Sequence, residues 1–285
     1  MRSYNIVPYQ RKHRQVVFDL LFESAKTHLH LDWYRAEDWL EAQDNITLLA
    51  FAGEVLVGVL GVSAPVDDTC WLRMLILEDE SDYSDVVPAL WVRMQDLLHQ
   101  HEVQTFAALL IESTIAPYLS TLGMTHTEDI VTLSRGGQVP PESPEQRSTV
   151  AIRMATVDDL AQMTAIDHAA FPPLWQMTHD EIRRAKKLAA VCTLAVTADN
   201  QALGYQLSTL YNRSGHLARL AVSPHAQSMG VGAALLDDLL WRFIRREART
   251  ITVNTQASNA RSQRLYQRYA FNLTGHSLQV WMAKL

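Results

Sequence analysis

The sequence predicts an α/β fold built twice over, each copy a mixed, mostly antiparallel sheet flanked by helices. Three observations carry this expectation. Strand-like apolar runs alternate with segments of helical period through the whole chain. Their order recurs at an interval of 146 residues, as at Gly58 and Gly204. Finally, 285 residues leave room for two domains, at roughly 150 residues each.

Each copy opens with a short strand, Tyr4–Pro8 and Val150–Met154, followed by an amphipathic helical region. A hairpin comes next: Thr47–Ala52 with Val55–Val62, and Thr193–Thr197 with Ala202–Leu210. Ile46–Val62 is the longest apolar run, but Gly53–Glu54 breaks it with a turn, and a membrane span needs about 20 apolar residues. A further strand (Thr69–Leu77; His216–Ser223) leads into a long helix. In the second copy that helix sets Leu235, Leu236, Leu239, Leu240, Phe243 and Ile244 at helical spacing. A strand (Thr105–Ile111; Ile251–Thr255), a helix (Ser113–Leu122; Asn259–Tyr269) and terminal strands finish each copy. Residue by residue, Leu56–Leu60 matches Ala202–Gln206, and Trp71–Ile76 matches Leu217–Val222 without a gap. Tyr118–Met124 matches Leu265–Phe271 one residue later.

Between the copies, Ser134–Ser148 (SRGGQVPPESPEQRS) has the composition of a linker. The expected organisation is therefore a domain at 1–135, a linker at 136–148 and a domain at 149–285. The charge of the halves differs. Residues 1–140 carry 9 basic and 20 acidic side chains, whereas 141–285 carry 16 and 11. An anionic partner belongs with the second half, and the overall charge of −6 argues against a general nucleic-acid binder. Two cysteines, Cys70 and Cys192, make no disulfide scaffold and suit a reducing compartment. The opening MRSYNIVPYQRKHR has no apolar run to serve as a secretory signal. A cytoplasmic protein without membrane association, monomeric or homodimeric, is expected.

The chemistry concentrates in His216–Leu236. A strand ending near Ser223-Pro224 is followed by Gln227-Ser228-Met229-Gly230-Val231-Gly232-Ala233, which opens a helix. Glycines there let backbone N–H groups approach a ligand, and the helix start favours an anion such as a diphosphate. Alone, Gly-x-Gly before a helix is equally a structural turn. In context the segment resembles the Q/R-x-x-G-x-G/A acetyl-CoA motif of the GNAT acetyltransferase superfamily, preceded by Leu220-Ala221-Val222. Ser258–Phe271 (SNARSQRLYQRYAF) resembles the family's N-x-x-A-x-x-L-Y-x-x-x-G-F helix, with Ser262 at the alanine position and Ala270 at the glycine. The resemblance covers about residues 149–285.

That resemblance implies an acyltransferase moving acetyl from acetyl-CoA directly to a primary amine of a small molecule or peptide, both bound at once. It implies that Leu220 and Val222 present strand backbone to the pantetheine arm, with Ala221 between them, and that the Val222 N–H polarises the thioester carbonyl. Gln227, Ser228, Met229, Gly230, Val231, Gly232 and Ala233 cradle the diphosphate, and Asn259 and Ser262 contact the cofactor arm. Tyr266 stands at the general-acid position, a phenol of pKa about 10 facing a thiolate whose conjugate acid has a pKa near 8.5. His216 stands where the histone-acetylating branch has its basic Glu, and an imidazole suits that task near pH 7; the alternative is an ordinary solvated histidine at the strand entry after Gly215. Phe171-Pro172-Pro173-Leu174-Trp175 resembles the ribosomal-protein alanine acetyltransferases, but their basic Glu corresponds to Asn254 here, which cannot be a base. Tandem architecture also occurs in mycothiol synthase, which makes a small-molecule amine a plausible acceptor.

In the first copy the glycine loop corresponds to Ser81-Asp82-Tyr83-Ser84-Asp85-Val86, so Ser84 replaces Gly230 and Val86 replaces Gly232. Glu78, Asp79, Glu80, Asp82 and Asp85 put carboxylates at the diphosphate position, each repelling a unit charge at about 4 Å by roughly 1 kcal/mol even in water. Pro88 fits only the first turn of a helix, Leu119 replaces Tyr266, and Cys70 occupies the place of His216 and reads as a small core residue. The first copy is therefore expected to lack a cofactor site.

Other readings weigh less. His28-Leu29-His30 and His99-Gln100-His101 lack further ligands at metal spacing. Arg242, Arg245, Arg246 and Arg249 either complement a helix C-terminus or contact the 3′-phosphate of coenzyme A. A non-catalytic CoA-binding sensor or scaffold is the alternative function. A nucleotide-binding oxidoreductase would need an acid about 20 residues after Gly230 at a strand end, and Glu247 lies before that strand.

Overall fold

The computed structural model describes residues 4–42, 44–79, 83–111, 113–142 and 150–285. The chain divides into two compact units, residues 1–128 with 278–285, and residues 129–277.

In the first unit the chain runs β1 (Asn5–Pro8), α1 (Arg14–Glu23), β2 (Lys26–Leu29), α2 (Ala36–Leu40), β3 (Ile46–Ala52), β4 (Val55–Val62), β5 (Thr69–Leu77), α3 (Tyr83–Gln100), β6 (Thr105–Leu110) and α4 (Ala116–Thr121). β1, β3, β4 and β5 pair antiparallel in that order, β5 pairs parallel with β6, and β2 pairs antiparallel with β5. β7 (Thr125–Gly136) follows. β8 (Ala151–Met154), α5 (Leu160–Ala170), α6 (His179–Leu188), β9 (Val191–Val196), β10 (Ala202–Tyr211), β11 (Ser214–Val222), α7 (Val231–Arg245), β12 (Thr250–Gln256), α8 (Ala260–Arg268) and β13 (Asn272–Lys284) complete the chain. In the second unit β8, β9, β10 and β11 pair antiparallel, β11 with β12 parallel, and β12 with β7 antiparallel.

Alternation explains the layers. Gly215, Leu217, Ile251 and Val253 turn to the face covered by α7 and pack with Leu239, Leu240 and Phe243; a Cβ on Gly215 would strike the Phe243 ring. The opposite face meets α5, through the Tyr205 hydroxyl and Asp167. The first unit has the same two-sided plan, α3 on one face and α1 with Trp39 on the other.

The units depart from the boundary expected at 135–149. β7 was assigned to the first copy, yet Ile130–Gly136 pairs with β12 in the second unit; conversely Gln279–Lys284 pairs with β6 in the first. Each unit thus takes its last strand from the other sequence copy. A repeat leaves two equivalent partners for each terminal strand, and local pattern does not choose between them. Gly136 and Gly137 are likewise not flexible linker: Gly137 N donates to Arg249 O (2.8 Å), and its Cα approaches the Ala248 carbonyl so closely that no Cβ fits. Residues 143–148 of the expected linker lie outside the described residues. Pro88 sits inside α3, beyond the first turn to which the sequence confined it.

Candidate functional site

β11 and β12 run parallel over four residue pairs, Ser214↔Thr250 to Leu217↔Val253, and then part. β11 continues to Val222 with β10 on one edge alone. The cause lies in β11 itself. Its register against β10 jumps between Leu207↔Arg219 and Ser208↔Leu217, making Ala218 an extra residue, and such a bulge bends and twists its strand.

Beyond the bulge the open edge belongs to particular residues. Ser223 N donates to Leu203 O (2.9 Å), so Ser223 and Ala221 direct their backbone groups at β10. By alternation Leu220 and Val222 direct theirs at the open edge. The side-chain amide of Gln227 donates to the Val222 carbonyl there (3.1 Å), and among the described residues no strand pairs with Leu220 or Val222 on that side.

The strand leads into the glycine turn. Ser228 (φ 65°) and Gly230 (φ 80°) are both left-handed; glycine takes that conformation without strain. Gly230 is the N-cap of α7, and the first helical bond runs from Ala234 N to its carbonyl (2.9 Å). The N–H groups of Val231, Gly232 and Ala233 therefore lack helical partners. No side chain caps them and the first turn holds no acid, so a helix of 15 residues presents an uncompensated positive end. A Cβ on Gly232 would touch Leu265 at 3.5 Å and Val222 at 3.6 Å. The end of β11, the start of α7 and α8 therefore converge here.

α8 fastens the turn. The Arg261 guanidinium donates to Gln227 Oε1 and to Ser228 Oγ (3.1 Å). Asn259 caps α8, its Oδ1 accepting from Ser262 N (3.0 Å). Tyr269 is a packing residue whose hydroxyl donates to Ala233 O (3.0 Å). Tyr266 lies in the same cluster as Leu236 and Phe243. Unlike Tyr269, its hydroxyl makes no hydrogen bond among the described residues, and burial pushes its pKa above the usual phenol value.

His216 lies on the other face of the sheet. It pairs with Thr252 in the closed stretch, before the strands part, and faces away from the α7 and α8 cluster. Its Nδ1 lies 2.9 Å from Thr252 Oγ1, whose hydroxyl donates to Gly215 O (3.3 Å). Thr252 Oγ1 then accepts from Nδ1–H, and Nε2 is left as the basic nitrogen. Burial lowers the pKa below the usual 6.5, which keeps the ring neutral near pH 7.

Sequence reasoning missed two features. One is Arg261, whose only signal was its place beside a helix cap. The other is a buried pair. Arg219, on the bulged stretch, donates through Nε (2.8 Å) and Nη2 (2.6 Å) to Asp167, which is fully buried on α5 and also accepts from Tyr205. Both ends of the pair hold the segment after α5: Arg219 Nη2 donates to Trp175 O (2.7 Å), Met177 N donates to Asp167 Oδ1 (2.8 Å), and the guanidinium stacks 3.6 Å from the Phe171 ring centre.

The arginines at the far end of α7 do not reach the turn: a 15-residue helix spans about 22 Å. Arg242 bonds Asp238, and Arg246 bonds Ala190 O. In the first unit Leu119 is fully buried and Cys70 nearly so, both in the core, and burial pushes the Cys70 thiol up to about 12. Glu80, Ser81 and Asp82, and the side chains of Tyr83 and Ser84, lie outside the described residues. Among the described residues no three His, Cys, Asp or Glu side chains cluster as for a metal, and no helix is long and apolar enough to cross a membrane.

Residues 160–271 match the model of the acetyltransferase (GNAT) family. A GCN5-related N-acetyltransferase from Sphaerobacter thermophilus shares the fold with a TM-score of 0.60 at 16% identity, over 99% of this chain and 95% of that one. A tandem GNAT protein from the clavulanic acid biosynthesis pathway does so with a TM-score of 0.64 at 14% identity, over 99% and 98%. A probable N-acyltransferase from Enterococcus faecalis V583 gives 0.72 at 8% identity, over 99% and 72%. No curated protein matches the sequence.

Proposed function

We propose, from the match of residues 160–271 to the GNAT acetyltransferase family, that the second unit of the chain transfers acetyl from acetyl-CoA to a primary amine. One observation carries the reading. The parting of β11 from β12 leaves the backbone of Leu220 and the Val222 N–H without a strand partner, the Val222 carbonyl being met by Gln227, and leads to an α7 N-terminus with neither cap nor acid. An extended amide-bearing arm ending in a diphosphate is complementary to that arrangement, edge to edge and anion to helix start.

The reaction then needs three things of the chain. The Val222 N–H donates to the thioester oxygen as charge builds there. The amine attacks the carbonyl carbon, and its proton leaves through water to Nε2 of His216. As the C–S bond breaks, Tyr266 gives its proton to the departing sulfur. Burial raises the Tyr266 phenol, but a thiolate expelled beside it is raised by the same cause, as the buried thiols of Cys70 and Cys192 are, both to about 12. The arginine-fastened turn and the Asn259 amide hold the donor, and the segment fixed by Asp167 and Arg219 forms the wall on the α5 side. The protein is read as cytoplasmic, with the first unit lacking a coenzyme site.

Release of free thiol from acetyl-CoA, measured against a panel of small amines and peptides, tests the proposal. Acceptor-dependent release that disappears when the turn carries Gly230→Asp supports it. CoA binding without turnover on any amine favours a sensor instead.

A further inference from the structure

The two units open the same seam, and among the described residues only the second leaves it empty of chain. In the first unit β5 and β6 run parallel from Thr69↔Thr105 to Trp71↔Ala107 and then part. Trp71 and Ala107 precede Leu217 and Val253 by 146 residues each, so the parting falls at the same place in both copies. A bulge is again the cause, here at Arg73, with Gly61↔Met74 followed by Val62↔Leu72. Strand pairing fixes the correspondence past the bulges: Gly58 faces Leu77 as Gly204 faces Val222. Leu77 and Leu75 are therefore the counterparts of Val222 and Leu220.

That edge is covered by β2. Lys26 pairs with Leu77 and His28 with Leu75, and His30 N extends the ladder to Arg73 O (2.9 Å). In both units a side chain takes the last carbonyl of the edge: Ser24 Oγ donates to Leu77 O (2.6 Å) as Gln227 donates to Val222 O, so β2 alone is the difference. Ala25 N donates to Asp79 Oδ1 (3.1 Å). His28, at the centre of this ladder, is wholly buried.

The second unit has the corresponding segment but cannot make the strand. α1 and α5 start 146 residues apart, at Arg14 and Leu160, which places Pro172 and Pro173 at Lys26 and Thr27. Proline has no N–H for a ladder. Pro173–Trp175 instead forms a single 3-10 turn, and Arg219 and Asp167 tie Trp175 and Met177 to the α5 face. We infer that β2 is an intrachain occupant of the coenzyme seam of the first unit, and that Pro172 with the Asp167–Arg219 pair keeps the equivalent seam of the second unit open. The chain then has one acyl-donor site, not two. The inference rests on the proposed function only for the identity of what enters the open seam.

Hydrogen exchange of the full chain, read by mass spectrometry with and without CoA, tests it. Amides of residues 75–77 should exchange at least about 100-fold more slowly than those of 220–222 without ligand, because a paired edge opens only with its strand. CoA should slow 220–222 and leave 75–77 unchanged. Equal exchange at the two sites, or slowing of 75–77 by CoA, overturns the inference. Protected 75–77 with no CoA response anywhere supports the occupant while removing the proposed donor. His28→Pro takes away the central ladder N–H; it should speed exchange at 75–77 and leave the CoA response of 220–222 intact. If that variant fails to fold, the unmodified chain still decides.

Discussion

Arg219 and Asp167 meet as a bidentate pair, at 2.8 Å and 2.6 Å, with the carboxylate fully buried and also accepting from Tyr205 and Met177 N. Every oxygen lone pair that matters is used, so the pair locks the bulged part of β11 to α5 and to the segment 171–177.

Removing one partner strands the other. Asp167→Ala should cost about 3–5 kcal/mol, because an unpaired guanidinium stays inside. Asp167→Ala with Arg219→Leu should recover much of that loss. Urea denaturation of the single and double variants measures both. Full additivity of the two losses would mean that the pair does not act as a unit.

The glycine turn separates folding from binding. A Cβ at Gly232 makes only ordinary contacts, so Gly232→Ala should keep both stability and CoA affinity. Gly232→Glu places a carboxylate beside the unpaired N–H groups of α7. It should lower CoA affinity by at least about tenfold, an effect near 1.4 kcal/mol, with little change in melting temperature, since an acid in the first turn favours the helix. Calorimetric titration with CoA reads the first and thermal unfolding the second.

Tyr266 and His216 make distinguishable contributions. Tyr266→Phe keeps the packed ring and should lower kcat by about 10²–10³-fold with CoA affinity unchanged. His216→Gln should lower kcat/KM and abolish a limb of its pH profile lying below 6.5, the direction in which burial moves the imidazole. A profile identical in His216→Gln would return His216 to the alternative already weighed, a histidine at a strand entry.

Much of this was legible in the residues. The strands, the hairpins, the long helix and the glycine turn follow from period, turn residues and the 146-residue repeat, because those are local signals. The exchange of terminal strands was not legible, since β7 and β13 present similar patterns to equivalent partners. Asp167 and Arg219 lie 52 positions apart and look like ordinary surface charges until folding brings them together. Pro172-Pro173 against Lys26-Thr27 was visible, but its meaning depends on the seam that β2 fills. His216 was placed by counting residues, which does not show on which face of the sheet a side chain emerges.

His28 gives the filled seam a signature in acid. It is wholly buried, and burial first, then the neighbouring His30 and Arg73, push its pKa down to about 4 against a backbone hydrogen bond at Leu72 that raises it. Above pH 6.5 the ring is neutral in both the folded and the unfolded chain and contributes no pH dependence. Between 6.5 and 4 the unfolded chain binds a proton that the folded chain refuses, so stability falls as pH falls through this window, by about 3 kcal/mol in all. Below 4 both forms are protonated and the slope ends. Burial lowers the His216 pKa as well, so the decisive quantity is a difference. His28→Leu, which leaves the strand ladder intact, should be more stable than the unmodified chain at pH 4.5 by a larger margin than at pH 7.5, in urea titrations at both. An equal margin at the two values would mean that β2 does not hold a neutral imidazole in the filled seam.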